Sequence, residues 1–187
     1  MDYISIANFA NIILSEKDPY NHHGSNVSIM SMKIASGMNN DFSRDELLLL
    51  YYGSRLHDVG KILLDDVLLN YPRRLTHAEY ARMQSHVQLG YNILQKMHCN
   101  PIICNMVYAH HEHYNGSGYP RKLIGKDIPV FSRIICIADA WDSMTNDRAY
   151  RKAMPFEEAL EEMNRTSEWF DPDIYPVFLD VIRNDNQ

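Results

Sequence analysis

Two adjacent histidines, His110 and His111, stand beside a glycine-rich turn that ends Gly118-Tyr119-Pro120. Upstream, His57 and Asp58 are followed closely by Gly60 and Lys61, and downstream Asp139 precedes a run from Asp147 to Lys152. Imidazole and carboxylate are donors that suit iron, manganese and zinc. A carboxylate has two oxygens, so Asp58 can bridge a pair of ions. Ions about 3.5–4 Å apart activate water and stabilise in-line displacement at phosphorus. Neighbouring residues on a helix point about 100° apart, so His110 and His111 can serve such a pair from one element. A lone histidine is more often packed or solvated than a ligand, and these candidates come from five separate segments. Residue types alone leave a metal site and ordinary packing as equal alternatives.

Lys61 follows Asp58 by three residues, so one turn can aim both into a site; the alternative is a solvated lysine or a helix-end charge. Gly116 and Gly118 can take positive φ and let the loop turn sharply. Tyr119 either offers its ring and hydroxyl to a ligand or packs the loop. Arg148 and Arg151 can share a face, and guanidinium forks fit phosphate oxygens. Their plainer reading is a surface salt-bridge patch with Asp142 and Asp147.

The balance of 18 basic and 24 acidic side chains, net −6, argues against a general nucleic-acid surface, so no DNA partner is expected. It does not exclude an anionic substrate, because local charge decides that. The 187 residues suit one domain with a real core. No apolar run approaches the ~20 residues of a membrane span. The N-terminus lacks the basic region and cleavage pattern of a signal peptide, so no membrane partner is expected. Cys99, Cys104 and Cys136 form no spaced pair and read as core residues of a protein in a reducing cytoplasm.

The elements that must position these groups read as helices throughout. The pattern predicts an all-α fold of about seven or eight helices over residues 1–187, with no strand alternation or internal repeat. Residues 1–17 hold a short amphipathic helix, about 3–16, with Ile4, Ala7, Phe9, Ile12 and Ile13 as buried candidates. It could be a linker stub or an exposed docking face. A second helix, about 24–38, carries Val27, Ile29, Met30, Ile34 and Ala35 as its apolar stripe. Ser43 with Glu46, and Thr76 with Glu79, form capping boxes. The first opens a helix that runs into His57-Asp58 and stops near Gly60; the second opens one to about residue 97. Asn100-Pro101 starts the helix that carries His110 and His111 at its end. Residues 114–128 are loop. Pro129, Pro155 and Asp171-Pro172 open the last three helices.

HDVGK at His57, HHEHYNGSGYP at His110 and IADAWDSMTNDRAYRKAM at Ile137 resemble, in order, the motifs of the HD-GYP domain family, a branch of the HD phosphohydrolases. The likeness extends from DPYNHHGSNV at Asp18 to FDPDIYPVFLDVI at Phe170. It implies an HD-domain helical bundle with the GYP loop beside a metal site. His23, His57, Asp58 and Asp139 would hold one divalent ion, and Asp58, His86, His110 and His111 a second. Iron or manganese is implied ahead of zinc. A third ion is not expected, since Pro19, beside Asp18, stands where some members carry a glutamate. His22, His77, His98 and His113 match no ligand position.

The resemblance makes Asp58 and Lys61 catalytic, with Lys61 on the scissile phosphate. Tyr119, Arg148 and Arg151 would bind substrate. Val87 replaces a proline that often follows the single mid-chain histidine, which implies a straighter helix and not a lost ligand. Asn115 replaces the usual aspartate and removes a charge that could orient a ligand histidine. The implied activity is metal-dependent hydrolysis of cyclic di-GMP to pGpG, with GMP after a second cut. Two alternatives stay open: a cyclic di-GMP receptor or interaction module that uses the GYP loop without turnover, and a phosphohydrolase of another cyclic dinucleotide. A sensor or receiver domain, or a diguanylate cyclase, is the implied regulatory partner. Oligomeric state and general acid are left open.

Overall fold

The computed structural model describes residues 4–6, 8, 10, 22–39, 41–71, 73–147 and 152–185. Among these residues every regular element is helical, as the patterning predicts. Residues 4–6, 8 and 10 are helical, and then follow α1 (His23–Gly37), α2 (Arg44–Leu56), a 3-10 turn (Val59–Leu63), α3 (Asp66–Leu69), α4 (His77–Lys96), α5 (Pro101–Ala109), α6 (Val130–Thr145), α7 (Phe156–Arg165) and α8 (Tyr175–Asp185).

Local chemistry explains the starts. Both capping boxes form: the hydroxyls of Ser43 and Thr76 accept from the amides of Glu46 and Glu79, whose carboxylates accept in return from the cap amides. Asn100 accepts from the Ile102 amide, with Pro101 in the first turn. Each cap of this type contributes about 1 kcal/mol. The last helix begins later than its sequence signal. Asp171 opens a turn, its Oδ1 accepting from the Asp173 amide, and α8 proper starts at Tyr175.

α1 packs on α2, α6 and α8; α2 packs on α5, and α4 on α5 and the 3-10 turn. Leu50, Leu56, Leu94, Ile103, Met106, Ile134, Ile137 and Phe178 fill the interior. Arg133 of α6 and the buried Asp171 make an ion pair that ties α6 to the entry of α8. Cys99, Cys104 and Cys136 are free and buried, in keeping with their reading as core. Among the described residues no helix is long and apolar enough to cross a membrane.

Three expectations need correction. Ile29 is 53% exposed and Ile4 42% exposed, so neither belongs to its helix's buried face. Ile6 and Ala10 are buried instead, and the N-terminal segment contributes to the core and is not simply an exposed docking face. Ala7, Phe9, Ile12 and Ile13 lie outside the described residues. α2 ends at Leu56, before Gly60.

Gly60 has a different task from ending a helix. A Cβ there would lie 1.9 Å from the His86 carbonyl oxygen and 2.5 Å from the Gly90 nitrogen. The 3-10 turn after Asp58 thus rests backbone-on-backbone against the middle of α4. That contact sets the distance from the His57-Asp58 corner to His86. At Gly90 the nearest atoms to an added Cβ are 3.1 Å away, a much milder intrusion. Gly60→Ala is therefore expected to lower unfolding free energy by about 3 kcal/mol or more, and Gly90→Ala by about 1 kcal/mol. Urea titration of the two variants checks the order; equal midpoints would dissolve the close-packing account.

Candidate metal centre

Five imidazoles and two carboxylates meet between helix ends. His23 enters at the start of α1, His57 and Asp58 just after α2, His86 from the middle of α4, His110 and His111 just after α5, and Asp139 from α6. Donor atoms of Asp58, His86, His110 and His111 lie within 4.8 Å of one another, and so do those of His23, His57 and Asp139. Sequence reasoning grouped the same seven residues. His23 is in the centre, while His22 is exposed beside it. Valine at position 87 leaves α4 unbroken with His86 buried in the cluster.

The rings are aimed by bonds from their outward nitrogens. Nδ1–H of His57 donates to the Ser54 carbonyl at 2.6 Å, that of His86 to Met83 at 2.7 Å and that of His110 to Val107 at 2.7 Å. Each acceptor lies three residues back in the same helix, and two of the three are last-turn carbonyls that a helix leaves unsatisfied. Nδ1–H of His23 donates to the Asp142 carboxylate at 2.6 Å. In the neutral form of each ring, Nε2 is therefore a bare lone pair.

Those lone pairs face other acceptors. Nε2 of His57 lies 3.1 Å from Nε2 of His23, and Nε2 of His86 lies 3.3 Å from Nε2 of His110. Oδ1 of Asp58 is buried without a hydrogen-bond partner among the described residues, 3.2 Å from Nε2 of His86. Its other oxygen, Oδ2, lies 3.4 Å from Nε2 of both His23 and His57 and 2.5 Å from Nζ of Lys61. Acceptors this close repel unless a cation sits among them. The donor set and the orphaned oxygen both fit divalent metal, with Asp58 placed between the two groups.

Charge states agree. Burial pushes the pKa values of His86 and His110 down and that of His111 to about 3, which keeps these rings neutral. Burial acts to raise Asp58 and Asp139, but Lys61 and His57 at the first and His23 and His57 at the second hold them well below the ordinary carboxylate range. Burial also lowers His23, yet Asp139, Asp142 and Asp58 override it and raise that ring to about 10. With protein groups alone, the pocket captures a proton at His23. It calls for positive charge, and a metal ion answers the same call.

The structure adds residues that sequence reasoning read otherwise. Asp142 is not a surface charge; it is buried behind His23, and its other oxygen accepts from the Asn146 amide group. Its spacing of one helical turn from Asp139 was the available signal. Glu112 is buried, and its carboxylate accepts from the amides of Arg121 and Leu123 at 2.7 and 3.0 Å, closing the loop. Asn115 is exposed and accepts from the amide and hydroxyl of Ser117, so it shapes the turn and orients no ligand histidine. Gly116 has the expected positive φ, 80°. Gly118 does not; a Cβ there would meet the His113 nitrogen at 2.3 Å and the His111 oxygen at 2.5 Å, so close approach is its reason. Tyr119, joined to Pro120 by a cis bond, stacks on His111. Arg148, Arg151, Asp18 and Pro19 lie outside the described residues.

A helical frame that delivers histidines and aspartates to one shared carboxylate defines a divalent-metal-binding domain of the histidine–aspartate class. The chain belongs to the HD domain family, whose model matches residues 8–174. A cyclic di-GMP phosphodiesterase of Thermotoga maritima is 33% identical over 90% of this chain and 46% of its own length. A 3'3'-cGAMP-specific phosphodiesterase of Vibrio cholerae is 32% identical over 94% of this chain and 34% of its own. The chain thus spans less than half the length of these curated relatives. An HDG"Y"P protein from Bdellovibrio bacteriovorus superimposes with a TM-score of 0.73 at 22% identity, over 97% of this chain and 62% of that one, a likeness of fold.

Asp142→Asn keeps the side chain's shape but removes the charge behind His23. Affinity for an ion held by His23, His57 and Asp139 is expected to fall about 10–100-fold, with the other group's ion retained. Chelator competition with metal analysis checks this, and unchanged affinities would show that Asp142 does not orient His23.

Proposed function

We propose that the protein is a metal-dependent phosphodiesterase that opens cyclic di-GMP to linear pGpG, with GMP following from a second cut. One observation carries the reading: Asp58 turns one oxygen to each of two imidazole groups, which suits a pair of ions. Bound divalent ions supply Lewis acidity toward phosphate and make water a nucleophile near neutral pH. Mixed imidazole and carboxylate donors suit iron, manganese and zinc, and the family resemblance favours the first two.

The chain's own groups do the rest. Ionised Asp58 and Asp139 and the five imidazoles would hold the ions, while bonds to Ser54, Met83, Val107 and Asp142 keep four rings from turning. Lys61, partly exposed and on Asp58, is placed to neutralise charge that grows on a phosphate oxygen. Family likeness gives Arg148 and Arg151 the remaining phosphate oxygens. Hydrolysis breaks one P–O3′ bond, adds the hydroxyl of water to phosphorus and leaves its proton on the 3′ oxygen. Regulation by a sensor or receiver domain, or by a diguanylate cyclase, belongs to the same proposal and rests on family likeness.

A second substrate has a specific observation behind it. Relatives from Vibrio cholerae named as specific for 3'3'-cGAMP resemble this chain as strongly as those named for cyclic di-GMP. Protein with its metals counted, supplied with Mn(II) or Fe(II), is given each dinucleotide and followed by chromatography. Linear product is expected, and none from folded His57→Ala or Asp58→Ala. Tight binding without product, at full metal loading, would replace the enzyme with a receptor. Arg148→Ala is expected to raise KM for the preferred dinucleotide about tenfold or more with metals retained; metal loss instead would make Arg148 structural.

A further inference from the structure

Four of the five clustered histidines share one device: the nitrogen that faces away from the centre donates a hydrogen bond that fixes the ring. His111 is different. Among the described residues its imidazole has no hydrogen-bond partner; its Nδ1 lies 3.9 Å from Oδ2 of Asp139. It is also the most open of the five, with a side chain 25% exposed. A ring without an orienting bond can turn about its side-chain torsions, and a loose ligand binds weakly.

What His111 has instead is ring packing: His110 and His86 touch it inside the cluster, and the Tyr119 ring stacks on it from the loop. The His111 and Tyr119 rings have centroids 4.8 Å apart and planes 30° from parallel. The backbone carries the Tyr119 ring into place. The Tyr119 amide donates to the His111 carbonyl at 3.0 Å, joining the two residues directly. Gly118 passes so close to His111 and His113 that no side chain fits. Beyond the turn, Glu112 holds the amides of Arg121 and Leu123. His113 stacks on Trp169, and the Tyr114 amide donates to the Trp169 carbonyl, which moors the loop to the far side of the fold. Every one of these ties limits where the Tyr119 ring can go.

Resting on the metal-centre reading, we infer that the Gly118-Tyr119-Pro120 turn is a splint for His111: Tyr119 is a positioning residue whose ring fixes that imidazole, in the role a hydrogen bond plays for the other four histidines. Its action is on the metal through His111, before any contact with substrate. The ring face supplies it, and the hydroxyl is not required.

The test uses the full chain, Mn(II) as probe and competition against a chelator of known affinity. Tyr119→Leu removes the flat face and is expected to weaken one of two bound ions by about 10–100-fold, leaving the other unchanged. Tyr119→Phe keeps the face and is expected to restore affinity to within about threefold of the parent. The melting temperature of the chelator-treated chain is recorded for each, and is expected to be the same in parent and Phe variant. Tyr119→Leu that keeps parental affinity for both ions overturns the inference, even if its melting temperature falls, because the ring is then ordinary packing. Equal losses in the Leu and Phe variants also overturn it, since the hydroxyl would be the active part. A parent chain that binds no Mn(II) overturns the metal centre itself, an outcome distinct from both.

Discussion

Acceptors that face acceptors are the constraint on which this molecule turns. Buried oxygen and nitrogen lone pairs have lost water and gained each other, and both losses are unfavourable. The orphaned Oδ1 of Asp58 and the Nε2 atom of His86 beside it make the point in one contact. Lys61 relieves part of it at Oδ2, and protonated His23 relieves part at Asp139. Full relief needs a cation that several lone pairs can share. The helices that meet there are held in an arrangement that a divalent ion stabilises.

The frame solves this with short-range means. Three rings are aimed by carbonyls of their own helix, so ring orientation is decided within one turn of chain. Two of these helices, α2 and α5, end at the centre, where their negative dipole ends favour a cation. The spacing between elements is then set by backbone contact at Gly60 and Gly118, where even a methyl group would intrude. His111 falls outside this scheme, since its imidazole has no hydrogen-bond partner among the described residues. The loop that follows it comes back and covers it.

Legibility followed range. The caps at Ser43, Thr76 and Asn100 were readable because each is settled within three residues. The seven ligand candidates were readable because the ordered motifs resemble those of a known family; the residue types alone left packing as an equal alternative. Ile29 misled because an apolar residue on a helix says nothing about whether a neighbour covers it. Gly60 and Gly118 looked like residues chosen for a turn, and the atoms that exclude a side chain belong to other segments or to backbone folded back. Asp142 looked like a surface charge because its partner, His23, lies 119 residues away.

By itself the sequence determined an all-helical chain, where most of its helices begin, and which imidazoles and carboxylates are candidates to hold metal. The helices and their starts follow from local hydrogen bonding, which neighbours along the chain suffice to specify; the ligand candidates follow from the family resemblance of ordered motifs. Only the tertiary structure decided that Asp142 backs His23 and that Tyr119 lies on His111. Those facts concern the distance between side chains far apart in sequence or folded back on one another, and such a distance exists only once the helices have packed.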